Sequence, residues 1–324
     1  MKTPLKLCVL LLVLVSCANN QKKTAISDIQ TKNNYSVIIK LGLENDRIST
    51  DWKAALTNRL SKKNLDSIST IKKPLTVAEN DWYQLIKSRA DQWASFRDSL
   101  QVPFSGIKVN DTTYVLLGNQ GGDDAFSYQH QTVCFDLTAL HRAYGSANKT
   151  VNTNRIDRIF SHEYTHLLSK EWVKKNNLKL KTYKDRILWE CMYEGVGMYR
   201  SMSAKWFPKG DSLSEISAKT FETLYPIFTE RLTTIETSEN LSEEDKIRLH
   251  KNLSRGSMKK KWGALTVAVW LAMEADGNDK NLIPWINMGP DALIPLAKKH
   301  LTGTDKIKFK KTFMGAPNSS KLKK

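Results

Sequence analysis

The chain is short of cysteine and histidine, with four and six of these residues among 324. So few cysteines exclude a small domain held together by a framework of disulfides. We expect Cys134 and Cys191 to be buried free thiols. A chain of this length can instead bury a sizeable hydrophobic core, as one large domain or as a domain with an accessory part.

Acidic residues are also scarce, since 33 of them face 50 basic residues and leave a net charge of +17. The simplest interpretation is a solvated, lysine-rich surface. Such an excess could also favour acidic peptides, anionic envelope polymers or membrane head groups. No nucleic-acid-binding motif accompanies it, so we predict no nucleic-acid partner. The lysines cluster at residues 259–261, 298–299, 306–311 and 321–324.

Apolar runs are short, and the one at the N-terminus has the form of a secretory signal. Two lysines precede the run at residues 7–15, which is too short to span a bilayer permanently. Its end, L-V-S-C at residues 14–17, resembles the lipobox of bacterial lipoproteins, whose cysteine is lipidated. The resemblance implies a signal peptide over residues 1–17 and a lipid anchor on Cys17, in the bacterial envelope facing the periplasm or the cell surface. The alternative is an ordinary signal peptide cleaved nearby.

The most informative motif is H-E-Y-T-H at residues 162–166. Two histidines four residues apart lie one turn apart on the same face of a helix, so both imidazoles can reach one Zn²⁺ ion. Glu163 can then sit beside a metal-bound water and remove its proton. Flanking apolar residues recur at three- and four-residue steps, which predicts the helix, with Asn152 or Asn154 as its N-cap. The alternative is a chance motif with two surface histidines.

A catalytic zinc also needs a third protein ligand and an open position. Residues 182–207 are predicted to form a second helix, which carries Glu190 and Glu194 among apolar residues. A carboxylate in such surroundings is costly to bury unless it is paired or coordinated, so both are candidate ligands. Gly195 and Gly197 lower helix propensity but would allow a close approach to the motif helix. A helix with two exposed glutamates is the simpler alternative.

These residues resemble the gluzincin metallopeptidases. H-E-Y-T-H followed by a helix carrying E-G-V-G is most similar to the predicted Zn-dependent bacterial proteases once known only as domains of unknown function. Strands predicted at residues 114–118 and 132–136, with the glycine-rich turn 121–124 between them, are similar to those before the active-site helix in that family. The resemblance covers residues 80–200. Gly197 departs from it, because the family usually has alanine there.

The resemblance implies one Zn²⁺ ion per chain with His162, His166 and Glu194 as ligands and Glu163 as general base. The spacing from His166 to Glu194 is long compared with thermolysin-like enzymes, so Glu190 remains a rival third ligand. An extended peptide substrate would pair with an edge strand, either Tyr114–Leu117 or Thr132–Asp136. The oxyanion would need a second donor. Candidates for that donor are Tyr193, Tyr199, Tyr225, His250 and Arg255.

We predict an α+β, helix-dominated, zincin-like (gluzincin) fold with a small sheet before the active-site helix. The polar residues 18–33 are predicted to form a flexible tether, residues 34–110 a mainly helical part, and residues 111–324 the metallopeptidase-like part with C-terminal helices. A capping box at Thr76 opens a helix, and four tryptophans are expected in the core. Strands are predicted at 35–41, 114–117 and 132–136, and further helices at 51–60, 213–236, 242–253, 264–275, 280–287 and 290–301.

The sequence therefore predicts a zinc-dependent peptidase that is anchored to the envelope by lipid and acts on a peptide or protein substrate. One alternative is a catalytically silent, metalloprotease-like lipoprotein that binds peptides, a protein partner or anionic envelope polymers. Another is an envelope-binding protein in which zinc is structural. The sequence carries no signal for the oligomeric state.

Overall fold

A computed structural model describes residues 35–314 apart from residues 45–46, 58, 61–63, 65, 67–73 and 239. The predicted signal peptide, with Cys17, and the predicted tether lie outside the described residues. All described residues belong to one compact unit, which includes both sides of the boundary predicted near residue 110. The structure is dominated by helices and has a small mixed sheet, so the α+β class is confirmed.

In the described part of the chain, the main sheet has four strands in the order β1 (Ser36–Leu41), β4 (Thr112–Gly118), β6 (Thr132–Asp136) and β5 (Ala125–Tyr128). Strands β1, β4 and β6 are parallel, with Ser36 opposite Thr112, and β5 runs antiparallel to β6. Every residue of β6 is buried, as expected of a strand covered on both faces. The predicted strands are confirmed, whereas β5 and a two-stranded ribbon were not predicted. The strands are β1 Ser36–Leu41, β2 Leu43–Glu44, β3 Arg47–Ile48, β4 Thr112–Gly118, β5 Ala125–Tyr128 and β6 Thr132–Asp136.

Among the described residues, helices α1 Thr50–Leu56, α2 Val77–Lys87 and α3 Ala90–Gln101 precede the second half of the sheet. The predicted capping box opens α2, where the Thr76 side chain accepts from the backbone of Glu79 and the Glu79 carboxylate accepts from the backbone of Thr76. Trp93 of α3 stacks on Phe160 at 4.3 Å between ring centroids. Helix α3 therefore packs against the motif helix through stacked aromatic rings.

The candidate site is built from the next three helices, α4 Leu137–Tyr144, α5 Thr150–Lys175 and α6 Tyr183–Ser201. The prediction that Asn152 or Asn154 caps α5 was wrong. Lys149 occupies the N-cap without a side-chain hydrogen bond, and the Asn152 amide donates 2.7 Å to the Ser146 carbonyl. The helix predicted over 182–207 ends earlier, at Ser201, and a short 3₁₀ turn follows at Ala204–Trp206.

Helix α9, Ala264–Ala275, packs behind α6. It is buried along nearly its whole length, as predicted for a core helix. The four tryptophans expected in the core (Trp82, Trp93, Trp262 and Trp270) are at most 1% exposed. No described helix has the length and apolar character needed to cross a membrane. The other described helices are α7 Glu215–Thr237, α8 Glu243–His250, α10 Ile283–Met288, α11 Leu293–His300 and α12 Gly303–Met314, the last of which was not predicted.

Candidate metal centre

Helix α5 carries the H-E-x-x-H motif into the interior of the protein. The Nε2 atoms of His162 and His166 lie 3.0 Å apart, and their rings meet edge to face. Glu163 is 8% exposed and His166 only 4%, so the motif does not lie on a solvated face. His162, Glu163 and His166 form a cluster that could hold a metal ion.

Helix α6 brings Glu194 to the histidine pair. Its Oε2 atom lies 3.8 Å from Nε2 of His162 and 3.8 Å from Nε2 of His166. A circle through three atoms at these separations has a radius of about 2.1 Å, close to the zinc–nitrogen and zinc–oxygen bond lengths. The three predicted ligands therefore surround a space of the size that zinc needs.

Glu190, the rival third ligand, has different partners although it lies one turn earlier on α6. It accepts a 2.8 Å hydrogen bond from the Ser254 hydroxyl and lies 3.5 Å from Nδ1 of His250. Of the two candidates, the structure brings Glu194 rather than Glu190 to the histidines.

Two glycines let α6 approach its neighbours closely. A Cβ atom on Gly195 would lie 2.6 Å from Cβ of Val267 in α9. A Cβ atom on Gly197 would lie 3.0 Å from Nε2 of His162 and 3.0 Å from Cε1 of His166. The space in front of the histidines is thus kept open by the missing side chain at position 197.

Burial and neighbouring charges shift the pKa values of all four site residues. Burial raises the pKa of Glu163 to about 7 against the opposing charge of His162. Burial and the neighbouring His162 lower the pKa of His166 to about 3. Burial would raise the pKa of Glu194, but the hydrogen bond with His162 and the charges of both histidines outweigh it and lower that pKa to about 2.

The pKa of His162 is shifted in the opposite direction to that of His166. Burial opposes its charged form, yet the hydrogen bond with Glu194 and the charges of Glu163 and Glu194 raise its pKa above the usual value. Its Nδ1 atom lies 3.2 Å from the Ser201 hydroxyl at the end of α6. The carboxylates thus favour a positive charge where Nε2 of His162 faces Glu194, which is also the position that a divalent cation would take.

Of the five candidate oxyanion donors, two line the cleft and three do not. Tyr193 stacks on the ring of His166, 4.0 Å between centroids, and lines the cleft in front of the histidines, as Arg255 also does. The other three lie elsewhere: Tyr199 donates to Asp279, Tyr225 accepts from Trp270 in the core, and His250 lies beside Glu190.

The strand next to the site is β5, which the sequence did not reveal. Tyr114–Leu117 and Thr132–Asp136 lie in central strands paired on both sides, so the prediction that either is the edge strand was wrong. β5 ends the sheet and contributes Ser127 to the cleft. The Lys170 ammonium of α5 donates to the Ser127 hydroxyl at 2.9 Å and to its carbonyl at 3.2 Å, which ties β5 to the motif helix.

The glycine-rich turn before β5 is fixed by one buried carboxylate. Asp136, at the end of β6, accepts from the backbone N–H groups of Gly121 and Gly122. It also accepts from Ala139 and so caps α4. The turn is thus tied to the sheet at one side of the cleft.

A cleft of about 980 Å³ opens in front of the histidines. It also contains polar residues that sequence analysis missed, among them Lys170, Arg155 and Arg158. A signal for the two arginines was present, because they precede His162 by seven and four residues and so share its helix face. The same signal was present for Lys170, which follows His166 by four residues, but its contact with β5 could not be seen in the sequence.

Comparisons with known proteins add no assignment to this geometry. No protein-family model, no curated protein and no solved structure matches the chain.

Proposed function

We propose that the protein is a zinc-dependent peptidase with a gluzincin-like active site. The observation that carries the proposal is the convergence of His162, His166 and Glu194 around a space of about 2.1 Å radius, with Glu163 beside it. The gluzincin resemblance of the sequence supports the same assignment. A long motif helix next to a small sheet, followed by a helix that supplies the third ligand, is the zincin-like arrangement that this resemblance implies.

Zinc fits the donor set. Two imidazoles and one carboxylate are a ligand set used by catalytic zinc, which keeps one position open for water or substrate. At this site, zinc would supply Lewis acidity, activating a water molecule and polarising the scissile carbonyl. The remaining chemistry falls to the side chains of the chain.

Glu163 would act as general base. Its carboxyl lies 4.0 Å from Nε2 of His162, and burial brings its pKa to about 7, near the value at which a base both accepts and returns a proton efficiently. It would take the proton of the attacking water and pass it to the leaving amine. Tyr193 and Arg255, which line the cleft, are the candidates that remain for stabilising the oxyanion.

The proposed substrate is a peptide bound in extended form. β5 lies at the edge of the sheet and lines the cleft, so a substrate strand could align beside it. Lys170 holds the backbone of β5 against α5 and thus fixes the distance between that strand and Glu163.

The proposal is tested by metal analysis and peptide cleavage on protein expressed from residue 18. We expect about one zinc per chain in the wild type and in Glu163→Gln, and little in His162→Ala. Cleavage of a peptide library should be abolished by a chelator and lowered about 100-fold or more in Glu163→Gln. If none of the three proteins takes up zinc, the proposal is wrong.

The same variants separate a catalytic site from a structural one. In a closed structural site Glu163, which clusters with His162 and His166, would complete the coordination, so Glu163→Gln would lose affinity for zinc. In a catalytic site the variant keeps zinc and loses cleavage.

Envelope anchoring is a separate proposal, carried by the lipobox at residues 14–17. Cells fed a labelled fatty acid should incorporate the label into the wild-type protein and not into Cys17→Ser. Equal labelling of the two proteins would exclude lipidation at this cysteine.

A further inference from the structure

Arg158 is connected to the predicted zinc ligand His162 through one intervening residue, Ser201. Its Nε atom donates to the Ser201 carbonyl at 3.2 Å, and the Ser201 hydroxyl lies 3.2 Å from Nδ1 of His162. Its two terminal nitrogens have no hydrogen-bond partner within the described part of the chain, and the side chain lines the cleft. The guanidinium is therefore held in place by the hydrogen bond of Nε, and its two terminal nitrogens are available to bind a ligand.

Arg155 and Lys205 are two further cations that line the same cleft as Arg158. Arg155 precedes Arg158 by one turn of α5, and its guanidinium lies over the ring of Tyr144, 4.6 Å from the centroid. Lys205 lies on the 3₁₀ turn just after α6. None of the three forms an ion pair with a described residue. Burial and the charge of Arg155 lower the pKa of Arg158 against the opposing charge of Asp157, so the two arginines repel one another in the free protein.

The acidic residues nearby are already engaged. Asp157, next to Arg158 in sequence, accepts two hydrogen bonds from Arg89, at 2.9 and 2.8 Å, and one from Trp93 at 2.7 Å. Asp124, which also lines the cleft, accepts from the Tyr144 hydroxyl. The oxygens of these two carboxylates are thus bonded to other groups and not to Arg158, although the charge of Asp157 still raises the pKa of Arg158.

We propose that Arg158, Arg155 and Lys205 form a subsite that binds a carboxylate of the substrate, next to the peptide bond to be cleaved. This specificity rests on the proposed peptidase function. A guanidinium with two free nitrogens matches the geometry of a carboxylate and can bind it through two parallel hydrogen bonds. A bound carboxylate would also relieve the repulsion between the two arginines.

The carboxylate has two possible sources, an acidic side chain or the C-terminus of the peptide. In the first case the enzyme prefers acidic residues near the cleaved bond. In the second it removes residues from C-terminal ends. Both use the same subsite chemistry, and matched peptides distinguish them.

The test is peptide binding measured by fluorescence anisotropy in the Glu163→Gln background, where cleavage does not deplete the probe. Four fluorescein-labelled hexapeptides are compared, containing glutamate or glutamine near the C-terminus, each with a free or amidated C-terminus. We expect the peptides that bear the recognised carboxylate to bind about tenfold or more tightly than the neutral amide. The pair that shows this difference identifies the source of the carboxylate.

Arg158→Gln should remove the preference, and Lys205→Gln should reduce it. The matched control is Arg186→Gln, an exposed arginine of α6 outside the cleft, which should keep the preference. Circular dichroism checks that each variant is folded. Equal affinity for all four peptides, no binding of any of them, or an unchanged preference in both Arg158→Gln and Lys205→Gln would overturn the proposal.

Repeating the measurement in chelator separates this inference from the proposed function. A preference for carboxylates that persists without metal supports the subsite even if the protein takes up no zinc or cleaves nothing. Zinc-dependent cleavage with no such preference supports the peptidase and rejects the subsite.

Discussion

Glu190 and Glu194 lie one turn apart on α6, yet only Glu194 faces His162 and His166. Glu190 faces Ser254 and His250 instead. Glu194→Ala should therefore lower zinc affinity by more than about 100-fold, because it removes a ligand outright. Titration with a fluorescent zinc chelator measures the change.

Glu190→Ala is the matched control for that prediction. It should leave zinc affinity unchanged and cost about 1 kcal/mol of unfolding free energy, because the Ser254 hydroxyl loses its acceptor. A loss of zinc in Glu190→Ala with retention in Glu194→Ala would reverse the assignment.

Gly195→Ala should destabilise the protein even though alanine favours a helix by about 1 kcal/mol. The added methyl would lie 2.6 Å from Cβ of Val267, and overpacking of a core costs about 1–3 kcal/mol. Urea denaturation measures the difference. The double variant Gly195→Ala/Val267→Ala should lose less unfolding free energy than the sum of the losses in the two single variants. Strictly additive losses would mean that α6 and α9 are not in tight contact at these residues.

Both cysteines should be unreactive in the folded protein. Burial raises the pKa of the Cys134 and Cys191 thiols, and the charges of Glu163 and Glu190, respectively, raise them further. Protein expressed from residue 18 contains only these two cysteines. At pH 8 a chromogenic disulfide reagent should label neither in the native state and both in guanidinium chloride. Rapid labelling of the native protein would contradict the buried position of these thiols.

The half-buried carboxylate Glu274 should make stability depend on pH. It accepts hydrogen bonds from His300 at 2.5 Å, Lys299 at 2.9 Å and Trp285 at 3.1 Å. Burial would raise its pKa, but the bonds from Lys299 and His300 outweigh burial and lower it. Burial lowers the pKa of His300 despite the opposing Glu274.

Both shifts have the same sign for stability. When the pKa of a group is lower in the folded state, the unfolded chain binds the proton more readily, so stability falls as the pH falls. The loss begins near the pKa of each group in the unfolded chain, which is about 6.5 for His300 and about 4.3 for Glu274. Glu274→Gln should cost roughly 1–2 kcal/mol at pH 7, and the difference from wild type should be smaller at pH 3. Chemical denaturation at the two pH values measures it, with the exposed Glu244→Gln as control. An equal difference at both pH values would show that the carboxylate charge contributes nothing.

Local signals in the sequence located the motif helix, the helix that carries Glu194 and the central strands, because each depends on contacts within a few residues. The Thr76 capping box is of this kind. The C-terminal end of α6 and the start of α5 were missed, whereas α6 starts with Thr182 as its N-cap, where its beginning was predicted. Ser201 ends α6 before the predicted boundary, and Lys149 begins α5 where an asparagine was expected.

Contacts between segments that are distant in the sequence could not be predicted from these local signals. β5 has only four residues and owes its place to pairing with β6, so its role at the cleft edge could not be seen in its own sequence. The choice of Glu194 over Glu190 likewise required the relative rotation of α5 and α6. The helix at 303–314 was missed because its lysines gave no clear apolar period.

The parallel pairing of β1 with β4 has a consequence for biosynthesis. Ser36 meets Thr112 only across 76 residues of chain, so β1 cannot find its partner until that much more of the protein has left the ribosome. Val37 and Ile39, which pack against the core in the finished fold, have no partner strand during that interval. A nascent chain with such a delay exposes a β-forming segment to other chains, and we expect its yield in the cell to depend on chaperones that shield it.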